Sequence, residues 1–185
     1  MVLDASKARV AVTGGVFRGL TSATAPTGTA GAPTGFTDLG YINEDGVEIE
    51  LPDSGDVTPV KAWQNGVTVR TIRVPGDDNP TWTFTMMETK LETIETYFGV
   101  TVTQTATEGS FEYRVTSRGA SSYIVDAVDG AELQRDYIPR GVVSSVGAHT
   151  LSNGEVTGYQ VTVDGELDAV KNYNFKRWST ALKTP

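Results

Sequence analysis

Residues Thr81 to Gly99 read TWTFTMMETKLETIETYFG, and two periodicities meet inside them. Trp82, Phe84 and Met86 alternate with Thr81, Thr83 and Thr85, the period-2 pattern of a strand buried on one face. The spacing then turns helical at Leu91, Ile94 and Phe98. This predicts a single short helix over about residues 90–98, docked by those three side chains on the Trp82, Phe84 and Met86 face. Thr89 and Glu92, three apart, have the form of a capping box. Gly99 suits the left-handed residue that closes a helix.

Outward from this unit the chain reads as strands and turns. Val47, Ile49 and Leu51 alternate with Glu48 and Glu50. Val67 and Val69 alternate with Thr68 and Arg70 and continue to Ile72 and Val74. Phe111, Tyr113 and Val115 form a further one-sided strand, and Ser122–Val128 and Tyr159, Val161, Val163 supply two more. Five turn dipeptides punctuate them: Asp45-Gly46, Asn65-Gly66, Asp129-Gly130, Asn153-Gly154 and Asp164-Gly165. Such pairs tolerate the positive φ of tight hairpins. The expected fold is mainly β, an antiparallel β-sandwich or barrel with one short flanking α-helix. The 185 residues suffice for one domain with a real core, so 1–185 is taken as a single unit. Arg18–Gly35 and Pro52–Pro59 fit no element. Neither can order itself on its own apolar contacts, so flexible loops are expected at about 20–35 and 52–59.

Hydrophobic residues make up 38% of the chain, with Thr, Gly and Val in place of bulkier side chains. Cysteine is absent, which excludes disulfides, thiol nucleophiles and thiolate metal sites. The opening MVLDASKARVAV lacks the apolar core of a signal peptide, and no stretch reaches membrane-spanning length. A soluble protein that matures where it is made, with no membrane partner, is expected. The net charge of −8 is unevenly spread. Asp38–Asp56 holds seven acidic residues and no basic one, whereas the C-terminal stretch Lys171–Lys183 holds four basic residues and no acidic one. Two readings stay open. These are solvated faces, or they are unlike poles through which copies stack. In the second, Asp38, Glu44, Asp45, Asp53 and Asp56 of one copy face Lys171, Lys176, Arg177 and Lys183 of the next.

Catalytic chemistry finds few footholds. His149 is the sole histidine, and a triad with Ser144 or Ser145 lacks a GxSxG elbow. Gly28, Gly31 and Gly35 lack the Lys-Ser/Thr of a phosphate loop. Asp53-Ser54-Gly55-Asp56 and Gly76-Asp77-Asp78-Asn79 offer clustered oxygens, but neither matches an EF-hand loop. Glu48 and Glu50 share one strand face, as exposed strand acids commonly do. Trp63, Trp82 and Trp178 suit core or interface anchors better than a sugar platform. The chain reads as a non-enzyme without cofactor, metal or catalytic residues.

Several phrases then line up. Leu39-Gly40-Tyr41-Ile42-Asn43-Glu44-Asp45-Gly46-Val47 is followed by Ala62-Trp63-Gln64-Asn65-Gly66 and Val69-Arg70, then by Phe84-Thr85-Met86-Met87-Glu88-Thr89 and Tyr97-Phe98-Gly99. In that order and spacing, over about residues 36–100, the chain resembles the major tail tube proteins of long, non-contractile-tailed phages, particularly those infecting actinobacteria. The resemblance implies a structural virion protein with a β-sandwich or barrel flanked by a helix. It implies six copies per ring, and rings stacked into a tail tube through which DNA is ejected without specific binding. It also implies tape measure, tail tip and terminator proteins as further partners, and assembly in the host cytoplasm. The immunoglobulin-like C-terminal domain of some members is not expected here. The residues point the same way, since a tube subunit needs strand edges that pair with neighbours rather than an active site. Acidic walls would repel DNA and let it slide. Two other functions stay open: an adhesin-like β-sandwich binding or decoration module of a virion, and a small hydrolase dependent on His149.

Overall fold

The computed structural model describes residues 8–31, 33–53, 55, 57–73, 79–154 and 156–183. Through them run β1 (Thr13–Gly19), β2 (Phe36–Asp38), β3 (Ile42–Glu50), β4 (Val57–Lys61), β5 (Thr68–Arg73) and β6 (Thr81–Met86). The helix α1 (Leu91–Phe98) follows, then β7 (Thr103–Gln104), β8 (Gly109–Ser110), β9 (Ser121–Asp129) and β10 (Glu132–Val146). Last come β11 (Tyr159–Gly165), β12 (Lys176–Ser179) and a 3-10 turn at Thr180–Leu182. The fold is mainly β and antiparallel, with one helix, as the periodicities predict.

The main sheet runs β2-β1-β9-β10-β11-β6-β3, with β12 added beside β10. It curls far enough that β1 and β3, near opposite ends, line one groove. Inside the curl lies a core of Trp82, Phe84, Met86, Tyr123, Val125, Ile138, Val143, Val161 and Val163, joined by Tyr97 from α1. The alternation of β6 is fully expressed: Trp82, Phe84 and Met86 are buried while Thr81, Thr83 and Thr85 face outward, half-buried. β4–β5 and β7–β8 are separate two-stranded ladders.

The helix is where the periodicity places it, but its contacts differ. The N-cap is Lys90, extended at φ −125° and ψ 169°, and no side chain caps the helix start. Thr89 therefore forms no capping box with Glu92; its hydroxyl lies 2.9 Å from the Tyr159 phenol instead. The buried face is also turned. Thr93, Thr96 and Tyr97 are the buried residues, Ile94 and Phe98 pack on the core from its margin, and Leu91 is half-buried outside it. Threonines can occupy this contact because their hydroxyls find acceptors, Thr93 in the Leu39 carbonyl (3.2 Å) and Thr96 in its own helix at Glu92 (2.6 Å). Tyr97 packs edge-on to Tyr159 at 5.4 Å and donates its phenol to the Gly147 carbonyl at 2.6 Å. Gly99 closes the helix in the left-handed region, φ 67°, its N–H on the Glu95 carbonyl.

Four other expectations change. Phe111, Tyr113 and Val115 form no strand; Phe111 and Tyr113 instead pack on Phe98, 4.9 and 6.4 Å between ring centroids. Asp45-Gly46 is no hairpin turn but lies within a bulge of β3, whose register on β6 jumps from Ile42↔Met86 to Val47↔Phe84. Asp164-Gly165 ends β11, and a Cβ at Gly165 would stand 2.8 Å from the Trp82 ring, so glycine is there for room. Pro52–Pro59 runs into β4, where Pro59 is tolerated because a two-stranded ladder has only edges. Asn65-Gly66 and Asp129-Gly130 do turn hairpins, β4–β5 and β9–β10.

The Arg18–Gly35 stretch also finds anchors. Arg18 and Gly19 complete β1. Farther on, the carbonyls of Gly28 and Gly31 each accept a hydrogen bond from the Arg135 guanidinium at 3.2 Å. Arg135 is buried and holds Asp126 through two bonds of 2.7 and 2.6 Å. An ion pair thus spends its remaining donors on a loop that has no apolar core of its own.

Two outcomes follow for stability. Thr89→Ala and Tyr159→Phe should each cost about 0.5–1.5 kcal/mol, the net value of one hydrogen bond. Because they break the same bond, thermal denaturation of the double variant should show clearly less than the sum. Additive losses would return Thr89 to a capping role. Arg135→Leu should cost about 3–5 kcal/mol by stranding Asp126. It should also quicken amide exchange around Gly28–Gly31, and unchanged exchange there would mean the latch does not hold the loop.

Candidate assembly surfaces

The candidate catalytic residues are not brought together. Ser144 donates to Asp164 at 2.5 Å. His149 stacks on Tyr159 with ring centroids 4.7 Å apart, and its Nδ1 lies 3.4 Å from the Gly158 carbonyl. His149 therefore serves an aromatic cluster with Tyr97, Phe98 and Tyr159. Of the oxygen-rich turns, Ser54, Asp56, Gly76, Asp77 and Asp78 lie outside the described residues. Among the described residues no group of three or more metal-ligating side chains gathers, and no helix is long and apolar enough to cross a membrane.

The charged stretches sort differently once placed. Asp38, at the end of β2, accepts the Gly40 N–H at 2.8 Å. Glu44 and Asp45 are exposed on the bulged part of β3, with Asp45 bonded locally to Asn43. Asp53 is exposed beyond β3, and Asp56 lies outside the described residues. On the basic side, two of the four cations are committed within the chain. Lys171 pairs with Asp168 at 3.6 Å. Arg177 grips the buried Asp136 through two bonds of 2.6 Å, and this hydrogen bonding raises its pKa further above the ordinary guanidinium value. Arg177 is thus a structural residue, since removing it would leave Asp136 buried and unpaired. Lys176 lies 4.9 Å over the Trp178 ring, and Lys183 is exposed.

Free positive charge sits on β4–β5 instead. This hairpin spans Val57–Arg73 and includes Lys61, Arg70 and Arg73 with no acidic residue, a bias readable in the sequence. Every residue from Val57 to Ile72 except Ala62 is exposed. Val57, Val60, Val67, Val69 and Ile72 are among the exposed large hydrophobics, and Trp63 at the tip is 97% exposed. Lys61 and Arg70 have no ion-pair partner among the described residues. Isolated two-stranded hairpins are marginal in water, so an arm of this composition wants a second surface.

A second surface has the opposite character. The outward positions of β3, β6, β11 and β10 form rows in register: Glu48–Thr83–Thr162–Ser145, Glu50–Thr81–Asp164–Val142, and Thr85–Gln160. Thr83 and Thr162 are hydrogen-bonded across the strands at 3.0 Å. These rows hold three carboxylates and no cation or aromatic ring. Short β-branched hydroxyl side chains locked side by side make the face smooth and polar.

No curated protein matches the chain. A family model described as phage tail tube protein matches residues 1–178. That span takes in the main sheet, the arm, the helix and nearly all of β12. The match covers nearly the whole chain, and the chain belongs to the phage tail tube proteins.

Proposed function

We propose that this protein builds the phage tail tube as six-membered rings stacked end on end, with DNA leaving through the lumen. The observation that carries this reading is the β4–β5 arm, whose apolar and cationic surface is exposed and pairs with no other strand among the described residues. A second copy supplies that partner at every repeat of a heterologous contact, and a contact that does not close on itself gives a filament. The Thr and carboxylate rows of β3, β6 and β11 suit the lumen. They offer Glu48, Glu50 and Asp164 to repel phosphates and no basic side chain to hold them by counterion release. The subunit acts without catalysis, in the virion tail, alongside the tape measure, tail tip and terminator proteins. The acidic positions Asp38, Glu44, Asp45 and Asp53 serve ring stacking. Of the basic C-terminal candidates only Lys176 and Lys183 are uncommitted to an ion pair among the described residues.

The purified protein should shift from monomer to large species as its concentration rises in sizing experiments. Negative-stain microscopy of those species should show rings of six and tubes. A protein that stays monomeric at high concentration, and is missing from the tails of virions that encode it, would refute the reading.

A further inference from the structure

The curled sheet does not close. β3 ends the main sheet, so its outer backbone edge has no ladder partner among the described residues. At the other end, β2 pairs only with Phe17, Arg18 and Gly19 of β1. Val16 gives its carbonyl to the Leu39 N–H, and among the described residues no strand lies beside Thr13, Gly14 and Gly15 on that edge. The two unpaired edges line one open groove of about 670 Å³. Its walls carry the half-buried Ile42, Val47 and Ile49. Its charged lining is Asp38, Glu44, Glu88 and Asp126 against one ammonium, Lys90. Asp126 is already neutralised by Arg135, which leaves three carboxylates to one cation. The groove is therefore apolar in its walls, net acidic, and flanked by strand edges with backbone groups to offer.

The β4–β5 arm has the complementary properties: an extended ladder, exposed valines and isoleucine, the bare Trp63 at its tip, and Lys61 and Arg70 without an ion-pair partner among the described residues. We infer that the groove between β1 and β3 receives the β4–β5 arm of another copy of this chain, with Trp63 as the apolar anchor and Lys61 and Arg70 against Asp38 and Glu44. The inference rests on the self-assembly proposed above and adds where one copy grips the next. Strand edges provide backbone bonding that is tolerant of sequence, and the buried aromatic and the charge pairs fix the register. Exposed charge pairs steer and select more than they bind, so Trp63 should dominate affinity and Arg70 the salt dependence.

The absence of cysteine makes the test clean, because any thiol crosslink reports only on introduced positions. A chain carrying Gln64→Cys with Glu44→Cys, assembled and treated with a short bismaleimide, should give a ladder of covalent oligomers. The control pair Gln64→Cys with Lys183→Cys should give far less. Trp63→Ala should raise the concentration needed for assembly by about tenfold or more while leaving the circular dichroism unchanged. Arg70→Glu should slow assembly at low salt, and Glu44→Arg in the same chain should restore it. If tubes form but the two crosslinking pairs react equally, or if Trp63→Ala assembles as the unsubstituted chain does, the arm docks elsewhere and this inference falls while the tube reading stands. If the unsubstituted chain forms no assembly at all, both fall.

Discussion

A strand of fifteen residues has two long edges to fill, and this constraint organises the molecule. β10 extends about 50 Å at ordinary strand rise. β9 covers one edge from Asp129 back to Ser121. The other edge is shared: β11 takes Gly141–Val146 and β12 takes Gln134–Tyr137. The chain leaves β11 at Gly165, makes the Asp168–Tyr173 turn and returns to continue the same row. Irregularities at Ile138/Gly141 and Val143/Ser145 bend β10, so that one strand serves both halves of the curl. Pro139, fully buried and without an N–H to donate, sits in the first of these breaks.

β10 also carries buried charges facing opposite ways. Arg135 points to the side covered by the Gly28–Gly31 loop, and Asp136 to the side reached by β12. Each is held by an opposite charge in a neighbouring strand. Pairs like these add little net stability compared with apolar residues, but they penalise every arrangement in which one partner is missing. In this fold they specify which loop and which strand may lie against β10. The C-terminal segment is thus part of the sheet rather than a loose basic tail.

Legibility in the sequence followed the simplicity of each element's environment. β6 and β11 face the core on one side, so their side chains alternate and their positions could be read. Most of β10 could not, because Arg135, Asp136 and Pro139 interrupt its apolar pattern for reasons that exist only in three dimensions. The helix was placed correctly, and of Leu91, Ile94 and Phe98 the last two do pack on the core, but its buried residues are Thr93, Thr96 and Tyr97, and the threonine hydroxyls are satisfied by carbonyls no local pattern reveals. Phe111-Glu112-Tyr113-Arg114-Val115 has strand-like alternation but no strand beside it, so its rings pack on Phe98 instead. The acidic stretch was legible as composition. The cationic arm was equally so, since Val57–Arg73 contains no acid, but its proximity to Pro52 and Pro59 made its first half read as a loop.

The arm has a cost for the lone subunit between synthesis and assembly. A ladder bearing valines, an isoleucine and a bare tryptophan is the kind of surface on which chains pile up edge to edge without order. Pro59 removes one donor from it, and Lys61 and Arg70 set like charges against like whenever two arms meet. The residues that make the arm sticky toward an acidic groove therefore also keep arms apart from one another. A pool of unassembled subunits can stay dispersed because its adhesive part is self-repellent, a gatekeeping that weakens as ionic strength rises.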